Sequence, residues 1–87
     1  MFNRVSTEIL LNTLGFKRVF SSGGRSDYIY DIDKEIMASV YSDCLEVCDR
    51  RRHMNTIYTG SPIEIFSLLG ETLEKSSIIL KEYEYNY

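Results

Sequence analysis

The sequence predicts an α+β fold, a two-layer sandwich in which two helices pack on one face of an antiparallel sheet. Two patterns lead to this prediction. Apolar residues recur at helical spacing near both ends of the chain, whereas between them they alternate with polar residues in short runs. Gly, Ser and Asp separate those runs. At 87 residues without a linker or an internal repeat, the chain 1–87 is predicted to be a single domain.

The first predicted element is a helix with Ser6 as its N-cap and Gly15 as the left-handed residue that ends it. Glu8 lies in the first turn, where the helix dipole favours an anion. Phe16 follows the stop signal and is placed to pack back on the helix. The apolar face of this helix is formed by Ile9, Leu10, Leu11 and Leu14.

A meander of four or five short antiparallel strands is predicted next, because alternating segments are joined by short turns. The paired glycines of Ser22–Arg25 supply positive φ at the first turn. The candidate strands are Lys17–Ser22, Ser26–Asp33, Glu35–Ser42, Cys44–Arg50 and Met54–Thr59.

The second helix has the clearest start signal, since Ser61 and Glu64 form a capping box around Pro62 at the first helical position. The tail 78–87 is open to two interpretations. It could continue this helix, but the alternation of Tyr83 and Tyr85 with carboxylates favours an additional C-terminal strand.

Composition excludes several classes of protein. The net charge of −3 and the pI near 5.0 disfavour a generic nucleic-acid coat protein, and no apolar run approaches the ~20 residues of a membrane span. The N-terminus lacks the basic-then-apolar order of a signal peptide. Cys44 and Cys48, four residues apart on one strand, lie too far apart to bond each other and are expected to be free thiols. A cytoplasmic protein is therefore expected.

Acidic residues cluster between Ser26 and Asp49, where seven carboxylates accompany a single Lys34. With the nearby tyrosines they predict an acidic, tyrosine-bearing outer sheet face, which would bind a protein partner that has a basic surface. Such a row could equally be a solvated face. The predicted contact residues are Asp27, Tyr28, Tyr30, Asp31, Asp33, Glu35, Tyr83 and Tyr85.

The run Arg50–His53 is the alternative site. Guanidinium groups bind phosphate in a bidentate manner, so the run could serve a small-ligand or nucleotide-binding domain, which would be an oligomer. Its other interpretation is a solvated hairpin end. Three adjacent arginines on a strand cannot all face one groove, which weakens the phosphate interpretation and, with the acidic surroundings, disfavours direct nucleic-acid binding.

No enzyme, cofactor or metal site is predicted. His53 is the sole imidazole and no motif pairs it with a nucleophile. Asp31 and Asp33 have the spacing of two carboxylates that could share a cation, but no anchoring motif accompanies them. The Ser22–Arg25 turn lacks the lysine and the following helix of a phosphate-binding loop.

The order of elements resembles that of small accessory proteins of phages and mobile elements, including anti-CRISPR proteins. The resemblance rests on Leu14-Gly15-Phe16, the tyrosine-containing meander and the capped helix from Ser61 to Leu69. It implies a stoichiometric binder, an inhibitor of a host or defence protein that acts in the bacterial cytoplasm. It transfers no functional residue.

Overall fold

A computed structural model describes the backbone of residues 1–85 and the side chains of residues 1–75. A five-stranded antiparallel sheet has the strand order β1-β2-β3-β4-β5, which is a meander, and it lies between two helices in the chain. The predicted α+β class is confirmed. The elements are α1 (Arg4–Leu14), β1 (Phe16–Ser21), β2 (Ser26–Tyr30), β3 (Ile36–Val40), β4 (Leu45–Asp49), β5 (Met54–Tyr58) and α2 (Pro62–Tyr85).

Helix α1 begins one turn earlier than the sequence predicts. Asn3 is the N-cap, because its backbone is extended and its side-chain oxygen accepts a hydrogen bond from the Ser6 N–H at 2.9 Å. Ser6 thus lies inside the first turn, and its prediction as the cap is wrong. The predicted end is confirmed: Gly15 has a φ of 104°, and its N–H bonds to the carbonyls of Leu11 and Asn12.

Alternate residues of each strand point to opposite faces of the sheet, and directly opposed residues of neighbouring strands share a face. One row runs through Tyr28, Ala38 and Val47, which are at most 4% exposed and pack in the core with residues of both helices. We call this the helix side. The helices thus cover one face of the sheet, as a two-layer sandwich requires.

The opposite face, which we call the open face, carries two rows of side chains across all five strands. It lies opposite the core that the helices complete. The first row consists of Lys17, Ile29, Met37, Cys48 and Asn55. The second row consists of Phe20, Asp27, Ser39, Glu46 and Ile57.

A β-bulge in β1 decides which face Phe20 joins. Arg18 opposes Tyr28 on the helix side, but the register shifts at Val19, so that Phe20 opposes Asp27 on the open face. Strict alternation from Arg18 would have placed Phe20 on the helix side. The Phe20 ring is 48% exposed, and the Arg25 guanidinium lies 5.5 Å from its centre.

The core between the layers is dominated by large side chains that the sheet and both helices share. Leu11 of α1 and Leu69 of α2 are fully buried, and Phe16 stacks on Tyr30 with ring centroids 4.9 Å apart. Tyr28 reaches α1, where its hydroxyl donates a hydrogen bond to Glu8 at 2.8 Å. That bond satisfies the one polar atom of a ring that is 2% exposed.

Helix α2 begins as predicted and is longer than predicted. The Ser61 hydroxyl accepts a hydrogen bond from the Glu64 N–H at 3.3 Å, which confirms the cap. The helix continues through Tyr85, so the predicted C-terminal strand is wrong over 78–85; residues 86–87 lie outside the described chain. After Gly70 no Gly or Pro interrupts the helix, so its local hydrogen bonds continue despite the alternating tyrosines.

Two glycines should respond oppositely to alanine. Gly15→Ala should lower the free energy of unfolding by about 1–2 kcal/mol, since an L-residue at positive φ is strained. The new Cβ would also stand 3.4 Å from the Tyr30 ring. Gly70→Ala is the matched control, in a helix interior with open space around the Cβ position, and should raise stability by about 0.5–1 kcal/mol. Urea titrations measure both; a neutral Gly15→Ala would contradict the assigned helix end.

Candidate functional site

One of the two rows on the open face is apolar on the three central strands. Ile29, Met37 and Cys48 lie side by side on β2, β3 and β4 and are each half-buried. Phe20 and Ile57 are the two end members of the second row, and they are 48% and 55% exposed. At ~4.8 Å between neighbouring strands, the five-strand row is about 20 Å wide. Grouped apolar side chains on a solvent-facing sheet are typical of a surface that contacts another molecule.

The polar groups on this face hold one another in place. The Ser39 hydroxyl donates a hydrogen bond to the Asp27 carboxylate at 2.7 Å, and the Arg25 guanidinium lies 3.2 Å from the same oxygen. Glu46 follows Ser39 in the same row. Asp27 is therefore on the predicted face, but its charge is balanced by Arg25.

Tyr28 and Tyr30 are not on that face. Both were predicted to contact a partner, yet they are 2% and 8% exposed and belong to the core on the helix side. The alternation does put them opposite Asp27 and Ile29, as expected. The error lies in which face of the sheet the helices cover. On the covered face Tyr30 contacts the Phe16 ring, and the Tyr28 hydroxyl donates a hydrogen bond to Glu8 of α1. Their prediction as exposed contact residues is wrong.

The other predicted acidic residues do not form one surface. Asp33 is buried at the β2–β3 turn, 8% exposed, and accepts a hydrogen bond from Arg51 at 2.6 Å. Asp31 lies 3.6 Å from the Lys17 ammonium, and Glu35 is paired with a separate arginine at the neighbouring turn. Each carboxylate thus has its own cation. The side chains of Tyr83 and Tyr85 lie outside the described residues.

The arginine run forms structural ion pairs at the β4–β5 turn. Arg50 lies 3.8 Å from Glu35, Arg51 bonds to Asp33, and Arg52 lies 3.7 Å from Asp49. The Asp49 carboxylate also accepts hydrogen bonds from the backbone N–H groups of Arg51 and Arg52, at 3.1 and 3.2 Å. These arginines balance two buried carboxylates, so the run is neither a free anion site nor a merely solvated hairpin end.

A pocket of about 530 Å³ opens beside this turn, at one end of the open face. Arg50, His53 and the Glu35 carboxylate line it, together with Cys48 and Asn55. His53 has a φ of 54°, which turns the chain back into β5. Within the described residues no group of three or more His, Cys, Asp or Glu side chains is arranged to hold a metal ion.

Both cysteines are free thiols: Cys48 lies on the open face in β4, and Cys44 directly precedes that strand. Burial raises the pKa of Cys44 first, and the neighbouring carboxylates of Asp43 and Glu46 raise it further. A raised pKa keeps that thiol protonated at neutral pH, and a protonated thiol is a poor nucleophile.

No protein-family model, curated protein or solved structure matches the chain. In the part of the chain that the structure describes, no helix is long and apolar enough to span a membrane. The assignment of a site consequently rests on the geometry of the fold itself.

Sequence reasoning did not select the apolar residues of the open face. Ile29 and Met37 alternate with core residues and belong to no chemical motif. Alternation alone does not show whether they lie on the helix-covered face or on the open face of the sheet. Phe20 gave no signal either, since its side depends on the bulge. Only the strand register shows that Ile29, Met37 and Cys48 are neighbours.

The ion pairs predict unequal effects of two arginine substitutions. Arg51→Ala should lower the free energy of unfolding by about 2–3 kcal/mol, because it leaves the buried Asp33 carboxylate without its charged donor. Arg50→Ala is the control: its pair with Glu35 is exposed and should contribute less than about 1 kcal/mol. Chemical denaturation of both variants measures the difference. Equal losses would contradict the structural role of Arg51.

Tyr28 predicts a loss of stability in alkali. Burial, and then the bond to Glu8, raises its pKa from 10.0 to about 12. The unfolded chain therefore loses this proton at lower pH than the folded chain. The protonated Tyr28 hydroxyl thus contributes to the free energy of unfolding. Its contribution is complete below pH 10, and roughly 2–3 kcal/mol of it is lost between pH 10 and 12. In the Tyr28→Phe variant the free energy of unfolding should therefore fall less between pH 10 and pH 12 than in the wild type, as measured by denaturant titrations at both pH values. An equal fall in the two proteins would contradict this prediction.

Proposed function

We propose that this protein is a non-enzymatic protein-binding module that uses the open face. The observation that carries the proposal is the half-buried apolar row of Ile29, Met37 and Cys48 on the side of the sheet opposite the helix-covered core. Protein interfaces typically have an apolar centre that loses water on binding and a polar rim that stays hydrated. The open face offers one such apolar row on its three central strands, and the polar row of Asp27, Ser39 and Glu46 lies directly beside it.

The size of the face supports its role as the centre of an interface. Five strands of about five residues each present an area of roughly 20 by 17 Å. A stable complex buries about 800 Å² on each partner, so the surrounding turns must supply the rim. Complete burial of an exposed aliphatic side chain contributes about 1.5–3 kcal/mol, and the half-buried Ile29 would gain only the part that corresponds to its remaining exposed area.

The charges around the row favour a partner of mixed polarity. Lys17 and Arg25 lie at the β1 side, and Glu46 lies nearer β5, so the face is not uniformly acidic. The sequence predicts a partner with a basic surface. The structure gives this prediction little support, because Asp27, Asp31, Asp33 and Glu35 are each paired with a cation of the same chain. An apolar patch with both signs of charge at its edge is the better complement.

Inhibition of a host or defence protein is the specific form of this proposal. It comes from the resemblance to phage accessory proteins and requires only that binding covers a working surface of the partner. The alternative, a small anionic ligand in the pocket at Arg50 and His53, has weaker support. The Glu35 carboxylate in that pocket would repel an anion, and Arg50 already pairs with it.

A paired substitution tests the proposed surface. Ile29→Lys with Met37→Lys places two charges at the centre of the open face and should reduce the yield of a captured partner about tenfold or more, which corresponds to 1.4 kcal/mol. Ile63→Lys with Phe66→Lys is the matched control, since these exposed apolar residues lie on α2. It should leave capture unchanged. Quantitative mass spectrometry after affinity capture from bacterial lysate measures both.

Circular dichroism must first show that both double variants are folded. If the α2 variant loses the partner and the open-face variant keeps it, the proposed surface is wrong. If inorganic phosphate or a nucleotide binds the wild type by calorimetry and Arg50→Ser abolishes that binding, the anion alternative replaces the proposal.

A further inference from the structure

The pocket at the β4–β5 turn brings a thiol, an imidazole and an ion pair together. Its volume of about 530 Å³ lies within the range of pockets that hold small molecules, roughly 300–1,000 Å³. Asn55 directly opposes Cys48 across strands β4 and β5, and His53, directly before β5, lines the same pocket. The remaining lining residues are Glu35 and Arg50. All five residues carry polar or reactive side chains, so the pocket suits a polar ligand.

Cys48 has surroundings that favour a reactive thiol. A thiol reacts as its thiolate, and neighbouring imidazole and guanidinium groups favour that form. His53 and Arg50 are two such groups in the pocket, whereas the Glu46 carboxylate, two residues before Cys48 on the same face, acts against them. Cys44 lies outside the pocket, and burial and then the neighbouring carboxylates raise its pKa. The chain thus contains its own comparison between two thiols in different surroundings.

The ion pair in the pocket suits a ligand that carries both signs of charge. The Arg50 Nε lies 3.8 Å from a Glu35 carboxylate oxygen, and the two side chains are 63% and 46% exposed. An exposed pair of this kind contributes little to stability, so a ligand can separate the two groups at low cost. The guanidinium then binds a carboxylate of the ligand, and the Glu35 carboxylate binds its ammonium group. An α-amino acid carries these two groups on one carbon.

We propose that Cys48 is a site of reversible modification by small disulfides that have α-amino acid ends, of which cystine is the simplest. The thiol of Cys48 gives its proton to His53, and its sulfur attacks one sulfur of the disulfide. The S–S bond of cystine breaks as the new S–S bond to Cys48 forms. The leaving thiolate takes the proton and departs as free cysteine, so the reaction needs no other oxidant. Excess free thiol reverses it.

The added half-cystine lies at one end of the open face, because Cys48 belongs both to the apolar row and to the pocket. The modification does not depend on the proposed function, since it requires no partner protein. It is measured on the isolated chain, so its outcome is separate from that of the capture experiment on the open face.

Mass spectrometry of the intact protein at neutral pH measures the rate at which one half-cystine is added. The Cys44→Ser protein, which keeps Cys48, should react about tenfold or more faster than the Cys48→Ser protein, which keeps Cys44. In denaturant the two proteins should react alike. His53→Asn in the Cys44→Ser background should lower the rate about tenfold or more, because the base is lost. Asparagine tolerates the positive φ of this position.

Three matched disulfides test whether both charges are recognised. Cystamine lacks the carboxylates of cystine, and dithiodipropionate lacks its ammonium groups. Each rate is divided by the rate of the same disulfide with the denatured protein, and cystine should then be the fastest. Arg50→Gln should lower the ratio of the cystine rate to the cystamine rate about threefold, and Glu35→Gln should lower the ratio to dithiodipropionate equally. Lys17→Gln removes a charge on the open face outside the pocket and is the control that should change neither ratio.

Three results would overturn the proposal. The first is an equal rate for the two single-cysteine proteins in the folded state. The second is a rate that His53→Asn leaves unchanged. The third is faster reaction with cystamine or dithiodipropionate than with cystine, which would show that the pocket does not select a ligand of both charges.

Discussion

The sidedness of the sheet is the constraint on which the rest of this structure depends. Both helices carry an apolar stripe that needs cover, and they bury it against the same face, the one that bears Tyr28, Ala38 and Val47. Once that face is occupied, every intervening residue of the strands is directed to the other side. The composition of the open face is therefore a consequence of how the helices pack. The hydrogen bond from Tyr28 to Glu8 links α1 to the centre of the sheet and helps fix this choice.

Two local features shape the open face further. The bulge at Val19 moves Phe20 out of the helix side and adds an aromatic ring to the exposed row. At one end of the sheet, Arg51 and Arg52 neutralise the Asp33 and Asp49 carboxylates, which are buried, so that end of the fold is nearly balanced in charge. What is left for recognition is the apolar row of Ile29, Met37 and Cys48, and the charged groups beside it contribute specificity more than affinity.

Much of the fold follows from local signals, and the site follows from non-local ones. The Gly15 stop and the Ser61 cap involve neighbouring residues, so the sequence shows them directly. The choice between Ser6 and Asn3 as the first cap depends on where the helix docks, because both residue types can cap. Alternating tyrosines are typical of strands, so they predict a strand at the end of the chain. The helix continues through Tyr85 because its backbone hydrogen bonds are local and need no neighbouring strand. Whether the face of the sheet that bears Tyr28 or the face that bears Asp27 is exposed depends on tertiary packing, and for that reason the prediction of exposed tyrosines at 28 and 30 is wrong.

Native-state alkylation of single cysteines on β4 tests the sidedness most directly. One protein carries only Cys48, after Cys44→Ser, and the other carries only a cysteine introduced by Val47→Cys, with both native thiols replaced by serine. The account predicts that Cys48 reacts in the folded protein, whereas the thiol at position 47 reacts only when the chain opens and so at least roughly a hundredfold more slowly. Equal rates, or faster reaction at position 47, would contradict the assignment of the open face.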